Sequence, residues 1–227
     1  MLYLAMSCLQ GREMQSAAAE LLSLGVKGLQ LTPGNAPTPR FQEWLKTQNI
    51  VVRTHHGFHW QALRQNVWSD TAECLVKADS VHPPQVHNGI CHLWKQKAAA
   101  GYYAGILMET MYPGYCLGNG EEIQWAMERK ISLSVDVSHI YIQLSQGCLT
   151  AKVWRKLQTY EWIGELHLSA NNGRRDIHQP IDSETFGLAW VKERAQDEIP
   201  IVLECYMHRL SKAERLEQVS FVLEACE

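Results

Sequence analysis

Residues 163–181, IGELHLSANNGRRDIHQPI, decide how the rest of the chain is read. The segment opens as a short apolar strand that ends on His167. A loop of small, amide and basic residues follows, then the close pair Asp176 and His178, and helical spacing resumes over 183–195. An imidazole at a strand end, with a carboxylate and a second imidazole on the next loop, suits a borderline-soft divalent cation such as zinc.

The same strand–loop–helix unit recurs in both directions. Apolar runs at 2–8, 28–32, 50–54, 80–82, 104–110, 131–137, 163–169 and 200–205 read as strands. Helical patterns fall at 13–24, from Pro39 onward, around 71–78, and at 90–100, 121–130, 150–160, 183–195 and 211–226. Near-continuous apolar strands are those of a parallel sheet covered on both faces. Strict alternation makes the chain an α/β protein, and eight units make it a closed (β/α)8 TIM barrel, one domain over residues 1–227. An open doubly wound sheet is the competing architecture, but no glycine-rich phosphate loop follows the first strand.

Composition agrees with a globular fold: 46% hydrophobic and 20% charged residues supply a core and a solvated surface. Net charge is −3, so there is no global basic footprint for nucleic acid. No apolar run has the length of a membrane span. The opening MLYLAMSCLQGREM lacks a basic n-region, which places the chain in the cytoplasm by default. Seven cysteines without regular spacing read as reduced thiols. Cys8 and Cys205 sit at strand ends near the mouth, as small buried filler rather than ligands.

In such a barrel, the loops after the C-terminal strand ends build the active site. The ionisable residues gather there: His55 and His56 after the third strand, His82 after the fourth, Glu109 at the fifth, Asp136 and His139 at the sixth, His167, Asp176 and His178 at and after the seventh, and Glu204 at the eighth. A lone strand-end histidine is usually a hydrogen-bonded core residue, and a lone carboxylate is usually a helix cap. Together they would leave like charges desolvated side by side, a cost that a cation removes.

This pattern, carried by THHGF, VHPP, METMYPG, DVSH, LHLSANNGRRDIH and LEC, resembles the xylose isomerase-like superfamily. That group takes in sugar phosphate isomerases and epimerases, and endonuclease IV with the AP endonuclease family 2. The isomerase resemblance implies one cation, zinc or manganese, held by Glu109, Asp136, His167 and Glu204. Glu109 and Glu204 are then also the candidate base and acid. The endonuclease IV resemblance implies up to three zinc ions: one on His55 (or His56), His82 and Glu109; one on Glu109, Asp136, His167 and Glu204; one on His139, Asp176 and His178. It implies in-line attack on a phosphoester.

His82 and the Asp176–His178 pair exceed what one cation needs, so the multi-metal hydrolase is the reading preferred from sequence. The isomerase or epimerase is the alternative, and a non-catalytic metal-binding barrel the third. Departures from the endonuclease pattern include a shorter spacer between His167 and Asp176. Short loops leave little surface to grip a duplex, so a small anionic or sugar-phosphate substrate is expected ahead of DNA. His56, Phe58, Trp60, Arg174 and Arg175 are the candidate substrate contacts, the aromatics by stacking and the arginines by holding phosphate.

Strand parity adds one expectation. If His55 and His167 point inward, so do Arg53 and Glu165, two residues earlier. The pair is expected to form a buried ion pair beneath the mouth.

Overall fold

The structure, a computed structural model, describes residues 1–32, 38–56, 67–86 and 89–223. Eight parallel strands form one sheet: β1 (Leu2–Ala5), β2 (Gly28–Leu31), β3 (Val51–Thr54), β4 (Ser80–Val81), β5 (Leu107–Glu109), β6 (Leu133–Asp136), β7 (Ile163–Leu168) and β8 (Ile201–Leu203). Their order is β3-β2-β1-β8-β7-β6-β5-β4. The ends are joined by a parallel bridge from His55 to Ser80 and by the bonds His56 N–H to Ser80 O and Asp79 N–H to Thr54 O, each 2.9 Å. The result is a nearly closed (β/α)8 TIM barrel.

The helices are α1 (Met14–Leu22), α2 (Pro39–Lys46), α3 (Cys91–Ala99), α4 (Gly120–Glu128), α5 (Val137–Ser145), α6 (Ala151–Gln158), α7 (Leu188–Ala195) and α8 (Lys212–Leu223). Local chemistry starts several of them. Thr38 caps α2 ahead of Pro39, Asn119 caps α4, and Ser211 with Glu214 forms a reciprocal capping box at α8. No helix among the described residues is long and apolar enough to cross a membrane.

Three expectations are corrected. Residues 71–78 are not helical. Val67 and Ser69 pair with Leu75 and Glu73 across a tight antiparallel turn, with Ala72 in the left-handed region at φ 53°. Conversely, α5 follows β6 without a loop, so two helices lie between β6 and β7 and none is described between β3 and β4. The cysteines are not all reduced: Cys91 at the start of α3 is joined to Cys116 in the loop after β5, with Cα atoms 6.4 Å apart. That pairing joins a helix start and a loop 25 residues apart that meet only in the barrel, so no spacing motif announces it. Cys8 and Cys205 are buried, with Cys8 donating to Leu203 O and Cys205 to Gln218 Oε1, and burial raises both thiol pKa values.

Below α3 the core is aromatic. Trp94 is fully buried, with its ring centroid 6.0 Å from Trp125 and 6.4 Å from both Trp68 and Tyr103. Trp94→Ala is expected to cost about 3–5 kcal/mol, the usual range for emptying such a site. A lowered urea midpoint at unchanged slope would show it.

Candidate metal centre

The barrel brings the strand-end residues together. His55, Glu109 and His167 come from odd-numbered strands or their immediate ends and share one interior level, as alternate strands of a barrel do. Glu109 is at its centre and is 1% exposed. Its Oε2 lies 3.2 Å from His55 Nε2, 3.2 Å from His82 Nε2 and 3.6 Å from His167 Nδ1, and its Oε1 lies 3.1 Å from His139 Nδ1.

His55 Nε2 and His82 Nε2 are themselves 3.0 Å apart, so with Glu109 Oε2 they form a compact triangle. Ligands about 2.0–2.1 Å from a tetrahedral zinc are roughly 3.3 Å from one another, so this triangle has nearly the spacing of one face of such a site. Of the two adjacent histidines, His55 faces Glu109, and its Nδ1 is 3.0 Å from Ser80 Oγ. His56 sits at φ 58°, is buried, and spends its Nε2 on the His82 backbone N–H at 3.2 Å.

Asp136 is the N-cap of α5. Its Oδ1 accepts from Ser138 N–H (2.6 Å) and His139 N–H (3.0 Å), while its Oδ2 is buried without a hydrogen bond. His139, on the first turn, has Nδ1 2.9 Å from Thr110 O. A carbonyl can only accept, so Nδ1 carries the proton and Nε2 is the free ligand atom. That Nε2 lies 3.2 Å from Asp176 Oδ2, and His178 Nε2 is 3.1 Å from the same oxygen. Asp176 thus bridges His139 and His178 through one oxygen. Glu204 Oε1 is 3.6 Å from His167 Nδ1, which brings Asp136, His167 and Glu204 into one set.

Burial opposes charge on Glu109, His55, His139, His167, His178 and Glu204, and the neighbours decide which of them keep it. Burial would raise Glu109, but His82, His167 and His55 hold it well below the usual carboxylate range. Burial would lower His167, but Glu204, Glu109 and Glu165 lift it to about 10. Burial would likewise lower His139, but Asp136, Asp176 and Glu109 raise it well above 6.5. His178 is lifted against its burial by Asp176, to about 9. Glu204 goes the other way, pushed up to about 7 chiefly by burial. Burial and His56 lower His55.

These residues fit a divalent cation. Glu109 Oε2, Asp136 Oδ2, His139 Nε2, His167 Nδ1, Asp176 Oδ1 and His178 Nδ1 are all buried without a hydrogen bond, and the first four converge on the barrel mouth. Several orphaned donor atoms at one rim are costly unless something binds them.

Arg174 and Arg175 lie exposed on the loop, their backbone N–H groups held by Asn172 Oδ1. Phe58 and Trp60 lie outside the described residues. Sequence reading passed over the inner supports Gln30, Ser80 and Thr110. For Gln30 and Ser80, a polar residue at inward parity within an apolar strand was the available signal; Thr110 follows β5 and carried none.

No family model and no curated protein sequence matches the chain. Solved structures do. The chain resembles a xylose isomerase domain containing protein from Salmonella typhimurium, at 12% identity and TM-score 0.63, covering 98% of this chain and 96% of that one. It resembles a sugar phosphate isomerase/epimerase from Parabacteroides distasonis, at 11% identity and TM-score 0.55, covering 98% and 96%. It also resembles a Thermus thermophilus protein, in a structure soaked with zinc chloride, at 14% identity and TM-score 0.56, covering 98% of each chain. The fold is thus that of the xylose isomerase-like barrels, as the motifs implied.

Proposed function

We propose that the chain is a divalent-metal-dependent isomerase or epimerase acting on a sugar or sugar phosphate through an enediolate. The observation that carries this is the overlap, at His167, of two compact groups at the barrel mouth, His55–Glu109–His167 and Asp136–His167–Glu204, with Glu109 Oε2, Asp136 Oδ2 and His167 Nδ1 left unpartnered. The names of the structural neighbours support this reading better than the hydrolase preferred from sequence. Glu109, Asp136, His167 and Glu204 would hold zinc or manganese. The bound cation would stabilise negative charge developing on adjacent substrate oxygens. Glu109 and Glu204 are each 3.6 Å from His167 Nδ1, and would be the carboxylates that take a proton beside a carbonyl and return it. His167 is fully buried and Glu109 nearly so, which keeps bulk water from the proton in transit. Arg174 and Arg175 are candidates to hold a substrate phosphate.

A second reading, phosphoester hydrolysis at several cations, rests on one observation. Beyond the central set, His55, His82 and Glu109 form a triangle of 3.0–3.2 Å edges, and Asp176 Oδ2 lies within 3.2 Å of both His139 Nε2 and His178 Nε2. Metal quantification beside two assays separates the readings. The isomerase predicts about one tight equivalent of cation and exchange of a substrate C–H proton with solvent deuterium on keto sugars. About three equivalents, loss of one in His178→Ala, and cleavage of phosphoesters such as abasic DNA would overturn it in favour of hydrolysis. Cation uptake with neither activity would leave a binding barrel.

A further inference from the structure

Beneath the mouth, Glu165 is fully buried and divides its two oxygens between two tasks. Oε2 accepts from Arg53 Nε, the ion pair that strand parity predicts. Oε1 accepts from Ser80 Oγ at 2.7 Å and Gln30 Nε2 at 3.2 Å, and lies 2.7 Å from His167 Nε2. An ion pair alone would need none of the second set. We propose that Glu165 is a positioning residue for the cation site: it fixes His167 as the Nε2–H tautomer and so presents the Nδ1 lone pair to the mouth.

The neighbours leave His167 little choice. A carboxylate oxygen at 2.7 Å holding donors from Ser80 and Gln30 can only accept, so the imidazole nitrogen facing it must carry the proton. The other nearby polar atom, Gln30 Nε2 at 3.5 Å, is itself a donor and cannot accept from His167. Nδ1 is then left buried without a hydrogen bond and 3.6 Å from both Glu109 and Glu204. Ser80 and Arg53, anchored on β4 and β3, hold the carboxylate in turn. The line Arg53–Glu165–His167 thus ties the interior of the barrel to the cation, as outer carboxylates do for ligating histidines elsewhere. Arg53 also lies over the Tyr3 ring, 5.8 Å from its centroid, so its guanidinium is held from both sides.

The inference rests on the cation-binding reading, and the test keeps the two apart. Zinc affinity is measured by competition on chelator-stripped protein, and the His167 tautomer is read from imidazole 15N shifts in the zinc-loaded chain. The wild type should show Nε2–H; an Nδ1–H signal there overturns the inference without any variant. Arg53→Met/Glu165→Met removes both charges together, so no unpaired ion is buried. It is expected to raise the zinc dissociation constant about 10–100-fold, the usual cost of removing such a partner, and to mix the His167 tautomers. Glu165→Gln, which keeps an acceptor oxygen, should recover most of that affinity. A double variant that binds zinc as the wild type does, with one tautomer, overturns the role of Glu165. A wild type that takes up no zinc overturns the cation site itself.

Discussion

Glu109→Gln is expected to raise the cation dissociation constant at least about 100-fold and to lower turnover about 1000-fold, a loss of about 4 kcal/mol in transition-state stabilisation. The size of the effect follows from sharing. One carboxylate faces His55, His82 and His167 through Oε2 and His139 through Oε1, so every donor group at the centre of the mouth borrows its charge. Glutamine keeps the shape and one acceptor oxygen but removes the negative charge that offsets a divalent ion. The stripped variant should still fold, because no strand pairing depends on the side chain. Calorimetric titration with zinc or manganese, beside a thermal melt of the stripped protein, gives both readings. Wild-type affinity and stoichiometry in the variant would mean that the cation binds elsewhere, and the assignment of the mouth would fail.

The barrel was legible because its strands are short apolar runs with glycine, proline or an ionisable residue at their ends, and parallel strands covered on both faces leave little else to see. The site was legible for the same reason: period-two parity fixes which strand-end groups face inward. Parity from Arg53 and Glu165 gave an ion pair between residues 112 positions apart. What escaped depends on contacts without a sequence period. Helix α5 follows β6 directly because Asp136 serves both as strand end and as N-cap, so no loop marks the boundary. Residues 71–78 look helical by composition, but cross-turn backbone bonds win over propensity. Of the endonuclease-like set, Asp176 reaches both His139 and His178. Those contacts speak to cation number rather than to reaction class, since ligand types alone do not distinguish hydrolysis from proton transfer at a cation-bound carbonyl.

The second large effect concerns pH, and it has opposite signs with and without cation. In the stripped chain His167 and His178 are lifted from an ordinary 6.5 to about 10 and about 9 by Glu204, Glu109 and Asp176, against the cost of burial. A base whose folded pKa is raised contributes stability that is complete below about 6.5 and is lost as pH climbs through the folded values. Glu204, pushed from 4.5 to about 7 by burial, contributes in the same direction between those two values. The stripped protein should therefore weaken steadily from about pH 5 to about pH 10. Counting only about one unit, roughly 1.4 kcal/mol, for each of the two histidines, and about 2–4 °C per kcal/mol for a chain of this size, the melting midpoint should drop by about 5–10 °C between about pH 7 and about pH 10. A cation in the central set replaces the His167 proton. Its affinity rises as that imidazole deprotonates, and it stabilises the fold by mass action. With manganese in excess, the midpoint should hold or rise over about pH 6.5–9 while the chelated sample falls, so the two melting curves diverge with pH. Parallel curves would show that protons and cations do not compete for the same nitrogen, which would remove His167 from the site.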